Sequence, residues 1–179
     1  MRLASTLAIL GLAVLLLLAP ACAITGKDVS DITVKTDGDP RVDLKGFKTY
    51  AWAAAGSAVN DPNREWTVPD FDIGAEIVAA TNRELRAKGM SETSRVPAAL
   101  VFFGVGIDME AMELTRDDGI EYLKETPKGG ILIVLADARS GEAVWVGSAE
   151  GKLSDNPPRE LVKKRIDYAV AKIFKQFRR

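Results

Sequence analysis

The order in which strand and helix patterns follow one another, ββαβββα, predicts an α+β domain, a two-layer sandwich with a mainly antiparallel sheet and two helices on one face. Three observations carry this. Residues 70–89 and 156–178 place apolar side chains at helical spacing. Residues 98–107 and 130–137 are near-continuous apolar runs of strand length. The second of these runs turns back almost at once into another strand pattern at 143–149, the signature of an antiparallel hairpin.

The elements follow in chain order. Ile32-Thr33-Val34-Lys35-Thr36 alternates apolar and polar, a half-buried strand. Asp37-Gly38-Asp39-Pro40 is turn chemistry. Phe47-Lys48-Thr49-Tyr50-Ala51-Trp52 is rich in strand-favouring side chains. Residues 56–69 read as a polar loop, long for a compact domain. The first helix is capped by Asp70 or Asp72, keeps Ile73, Ile77, Ala80 and Leu85 on one side, and stops at Lys88-Gly89. Beyond the strand at 98–107, residues 108–128 are acidic and read as a loop or distorted extension. In the last helix Asn156 offers a cap and Pro157 suits the first turn. Val162, Ile166, Ala169, Val170, Ile173, Phe174 and Phe177 form its apolar stripe.

Residues 1–21 lie ahead of this domain and read as a signal peptide, with Arg2 as the positive start and 3–18 as the apolar core. Sixteen residues reach about 24 Å as a helix, short of a ~30 Å hydrocarbon core, so a retained spanning helix fits poorly. Two cleavage readings remain open. Ala19-Pro20-Ala21 suits ordinary signal peptidase and a soluble product. Leu18-Ala19-Pro20-Ala21-Cys22 resembles a bacterial lipobox, in which cleavage falls between Ala21 and Cys22 and the cysteine receives fatty-acyl chains such as palmitate. The second is favoured by position, because the chain's single cysteine directly follows the small residue that closes the apolar run. Residues 22–31 then form a tether and 32–179 the domain.

Composition narrows the function. Lys and Arg number 24 against 25 Asp and Glu, which argues against nucleic acid, whose binding needs a basic surface. The chain has no histidine, and with one cysteine it can form neither a thiolate zinc cage nor an internal disulfide. Histidine-based triads, cysteine–histidine dyads and histidine-ligated metals are excluded within one chain. No cofactor is expected. Gly104-Val105-Gly106 lacks the third glycine of a nucleotide loop and leads into Asp108 and Glu110, so no nucleotide is expected either. Those glycines read instead as a close backbone approach or a bulge.

Phe47 to Trp52, the helix end at Glu84 to Met90, the hairpin at Gly130 to Ala149 and the closing helix at Ala169 to Phe174, in that order, resemble blocks of the DUF4136 family of bacterial envelope lipoproteins. Phe47 to Trp52 is similar to its F-x-T-Y-A-W block, and Leu85-Arg86-Ala87-Lys88-Gly89-Met90 to its L-x-x-K-G-Y helix end. Gly130-Ile131-Leu132-Ile133-Val134 with Asp137, then Trp145-Val146-Gly147-Ser148-Ala149, resembles its strand hairpin, and Ala169 to Phe174 its closing helix. Ala98-Ala99 stands where the family has Pro-Asp, and Arg178-Arg179 replaces a closing proline. The resemblance implies an exported, lipid-anchored domain at the outer membrane facing the periplasm. It implies no catalytic residue. A soluble periplasmic protein is the alternative.

Candidate sites follow. Trp52 and Trp145, with Phe102 and Phe103, are the candidate binding surface, against the plainer reading that they pack in the core. Asp108, Glu110, Glu113, Asp117, Asp118, Glu121 and Glu125 are oxygen ligands in type but lack the spacing of a calcium loop, and read as a solvated face. Arg159, Lys163, Lys164, Arg165, Lys172, Lys175, Arg178 and Arg179 make the last helix basic, suited to anionic lipid or simply to the helix dipole. Both apolar strands lack alternation, so their second face is expected to be covered, by the loop at 56–69 or by an envelope protein partner. The leading expectation is a non-catalytic binding or assembly-support protein. A carrier of a lipid or other hydrophobe is second, and a carboxylate-based hydrolase third.

Overall fold

The computed structural model describes residues 26–117, 120–154 and 156–178. Strands β1 (Thr33–Gly38), β2 (Thr49–Asn60), β3 (Ser91–Glu92), β4 (Ala99–Asp108), β7 (Lys128–Asp137) and β8 (Ala143–Lys152) form one sheet in the order β1-β8-β7-β4-β2-β3. Pairing is antiparallel from β1 through β4 and parallel at β4–β2 and β2–β3. The parallel pair exists because helix α1 (Ile73–Ala87) crosses over between β2 and β4. Strands β5 (Met112–Asp117) and β6 (Ile120–Glu125) make a separate two-stranded ribbon between β4 and β7, and helix α2 (Arg159–Lys175) closes the domain. The expected α+β class, mainly antiparallel sheet and pair of helices are all present.

Local chemistry explains the boundaries. The Asp72 carboxylate accepts from the Ala75 amide at 2.9 Å and caps α1. Gly89, at φ 75°, ends it, with the Met90 amide donating back to the Leu85 carbonyl. Helix α2 starts later than the sequence predicts. Pro158 occupies its N-cap without a side-chain bond, and Asn156 takes a left-handed φ of 44° instead of capping.

One core lies between the helices and one sheet face. Odd-numbered residues of β4, β7 and β8 point there, among them Val101, Ile133, Leu135 and Trp145. They meet Ile77, Ala80 and Leu85 of α1 and Val170, Ile173 and Phe174 of α2. Gly147 is where α2 comes closest to the sheet. A Cβ there would sit 2.4 Å from the Ile173 Cγ2 and 2.6 Å from the Trp145 ring. Gly147→Ala is therefore expected to lose about 1–3 kcal/mol by overpacking, read by urea denaturation. An unchanged midpoint would mean that α2 is not seated on β8.

Two segments differ from expectation. Residues 56–60, expected in a loop, continue β2, because ten positions of β4 offer it a parallel ladder. Residues 108–128, expected to be irregular, hold the β5–β6 ribbon, whose register runs from Met112↔Glu125 to Asp117↔Ile120.

Candidate functional site

The four aromatic candidates do not form one surface. Trp145 is 5% exposed and packs between Phe174 and Phe177, with ring centroids 5.4 and 4.8 Å away. Trp52 sits edge-on to Phe103 at 5.9 Å, on the helix side of the sheet. Its indole N–H donates to the Asn82 Oδ1 at 3.0 Å, and the Tyr50 hydroxyl donates to the same oxygen at 2.8 Å. Burial, aided by the nearby Glu92 carboxylate, pushes the Tyr50 phenol above its usual range and keeps it a donor. Phe102 precedes Phe103 on the strand by one position and so faces the opposite side. A platform of all four is ruled out by alternation alone.

The opposite, helix-free face of the sheet is apolar as expected, but the loop does not cover it. Leu100, Phe102, Val134 and Val146 are half-buried on that face and Leu132 is exposed. Register places Gly56 beside Gly104 and Gly106 beside Gly130, giving this face a glycine floor. A Cβ at Gly56 or Gly106 would meet nothing within 4 Å, and one at Gly104 would make ordinary contacts. These glycines thus neither admit a helix nor mark a bulge; the bulge in this sheet region lies in β2 between Trp52 and Ala54. The result is a shallow trough of about 830 Å³, edged by Asp108, Lys128 and Glu150. The connection from Asp61 to α1 runs to the helix side instead. There Trp66 lines an apolar cavity of about 120 Å³ with Ile107, Ile131, Leu161 and Ile166, and the Arg159 guanidinium lies 5.2 Å over the Phe71 ring.

The basic helix is largely spent on internal partners. Lys163 lies 2.7 Å from Glu76, which with Asp167 raises its ammonium pKa, and Arg159 lies 3.8 Å from the same Glu76. Lys164 reaches Asp28 at 3.3 Å. Arg165 grips Asp31 with both terminal nitrogens, at 2.9 and 2.6 Å, and donates to the Asp28 and Lys152 carbonyls. Lys172 donates to the Ile32 carbonyl at 3.0 Å. Three successive basic positions of α2 therefore hold one target, the segment from Gly26 to Ile32. Val29 and Ile32 are themselves buried in the core, so the part of the expected tether from Gly26 onward is bound to the domain. Gly151 makes room for the Arg165 head, since a Cβ there would fall 2.7 Å from its Nη2. The Arg165 hydrogen bonds hold the Asp31 carboxyl below its ordinary value of 3.8 against the opposing effect of burial.

Sequence reasoning missed this clamp. Its only local trace is the pair Lys164-Arg165, which is indistinguishable from solvated charge until the fold brings residues 28 and 31 to it. Cys22 and Ala21 lie outside the described residues, as do Asp118 and Arg179. Of the acidic candidates, Asp108 accepts from the Asn60 side-chain amide at 2.8 Å, and Glu113 lies 2.7 Å from Lys152, which lowers the Glu113 pKa. Among the described residues no three acids gather as a metal site, and no helix is long and apolar enough to cross a membrane.

Fold and sequence together define a single α+β domain of a recognised class. The sequence profile of DUF4136, a domain of unknown function, matches residues 34–177, and the chain belongs to that family. Among solved structures it is similar to a DUF4136 family protein from Bacteroides thetaiotaomicron, with 13% identity, 79% of this chain and 95% of that chain covered and a TM-score of 0.52. A PDZ domain protein from Parabacteroides distasonis shares the fold at 15% identity and a TM-score of 0.53, over 82% of this chain but 36% of that one. The PelC dodecamer from Paraburkholderia phytofirmans aligns at 16% identity and a TM-score of 0.47, covering 79% and 94% of the two chains. No curated protein matches the sequence.

Proposed function

We propose that this is a non-catalytic cell-envelope protein, lipid-anchored through Cys22 at the outer membrane and facing the periplasm, whose domain binds a partner or supports assembly. The observation that carries the reading is the clamp on the amino-terminal segment. A lipid on Cys22 would be only seven residues from the first core residue, Val29, a span of at most about 25 Å when fully extended. Such a protein is held beside a membrane, not trailed from it. The uncovered apolar sheet face supplies a surface for a partner.

The test is metabolic labelling with a fatty-acid precursor. Wild type is expected to carry the label in the membrane fraction, and Cys22→Ser is expected to lose it completely and leave that fraction. Equal labelling of the two, or an unlabelled wild type, removes the anchor.

The carrier reading is favoured by one observation, the apolar cavity under α2. At about 120 Å³ it is close to an engineered void of about 150 Å³ that takes up benzene, too small for a lipid chain. A stoichiometric ligand seen by native mass spectrometry would restore that reading. The hydrolase reading has no such observation, since Asp108 and Glu113 are engaged with Asn60 and Lys152.

A further inference from the structure

We propose that the end of the domain bearing the β5–β6 ribbon rests on the lipid surface, with Met112 and Leu123 entering the boundary between head groups and acyl chains. This rests on the anchor reading. Six large hydrophobic residues are exposed among those described, and four of them gather at one end of the sheet. Met112 is 53% exposed, Leu123 65%, Val59 52% and Val68 77%. Leu123 pairs with position 114, two residues beyond Met112, so alternation puts Met112 and Leu123 on one face of the ribbon. Val59 is the penultimate residue of β2, whose last residue bonds to Met109 at the root of the ribbon. Val68 borders a surface cleft with Met109 and Pro127, which flank the ribbon on either side.

The occupant is identified by where the chain enters. Lys152 joins the two features directly. Its ammonium lies 2.7 Å from Glu113, next to Met112, and its backbone amide donates to the Asp31 carboxylate at 2.8 Å. The amino-terminal segment is thus fastened at the same end as the exposed side chains. Ahead of Gly26 only four residues lead back to Cys22, at most about 14 Å of chain. A lipid fixed to that cysteine would bring this end of the domain, and no other, against the bilayer. Apolar side chains held there meet the interface at high effective concentration.

The experiment uses the full lipidated protein in vesicles of phosphatidylethanolamine and phosphatidylglycerol containing nitroxide-labelled lipid. A thiol-reactive fluorophore is placed on Leu123→Cys, on Met112→Cys and on Val96→Cys, an exposed position at the far end of β4. Lipid quenching is expected to be several-fold stronger at 112 and 123 than at 96. Equal quenching at all three positions overturns the proposal. So does a label at 123 that is shielded from an aqueous quencher without being quenched by lipid, because a protein surface or a second copy would then cover it. Wild type treated in the same way separates the two failures. A lipidated Cys22 takes no fluorophore, whereas labelling at Cys22 removes the anchor reading itself.

Discussion

Phe174→Ala is expected to lower the unfolding free energy by about 3–5 kcal/mol, the range for emptying a large aromatic from a packed core. Phe174 is completely buried and lies at the centre of an aromatic group, 5.4 Å from Trp145 and 5.7 Å from Phe177. Neighbours cannot close the gap, because Trp145 is fixed on β8 and Ile173 already presses on Gly147. The loss is a large share of the ~5–15 kcal/mol available to a domain. Chemical denaturation of wild type and variant checks it. A loss under about 1 kcal/mol would mean that α2 does not seal this core.

Arg165→Ala is expected to cost about 2–3 kcal/mol, because it takes the guanidinium from the Asp31 carboxylate, which keeps only the Lys152 amide, and removes the Arg165 donor from the Asp28 and Lys152 carbonyls in a mostly shielded site. The effect has a pH signature. Asp31 is held below 3.8 in the folded protein, so the unfolded state binds more protons in acid. The contribution of the pair is fully present above 3.8 and is lost as the pH falls through the lower folded value. The stability gap between wild type and variant should therefore be constant near neutrality and narrow below about pH 4. A gap that does not change with pH would mean that the arginine acts through packing alone. Hydrogen exchange adds a second reading: amides of residues 29–32 should lose protection in the variant well before those of β7.

The architecture was legible wherever a periodic pattern coincided with burial. The stripes Ile77, Ala80, Leu85 and Ile166, Val170, Ile173 became the buried faces of the two helices, and Gly89 stopped the first. Where the pattern was disguised, the reading failed. Residues 53–58 are Ala, Gly and Ser with little strand preference of their own, and extend β2 only because β4 lies alongside. Met112-Glu113-Leu114 and Ile120-Glu121-Tyr122 do alternate, but the surrounding acidity reads as a solvated loop. The glycines at 104 and 106 were placed on one face correctly, yet that face turned out to be the one without helices, which spacing cannot distinguish. The charge clamp was invisible for a different reason. Arg165 and Asp31 are 134 positions apart, and no local rule pairs them. Sequence thus located the domain, while only the fold showed where its amino-terminal segment, from Asp28 to Ile32, is joined to it.

The most direct test of that junction is the intact mass of the protein extracted from native membranes. The account predicts a chain that begins at Cys22 and carries a diacylglyceryl group on sulfur with a further acyl chain on the amine. A polypeptide that still begins at Met1, or one with a bare thiol at residue 22, would contradict it.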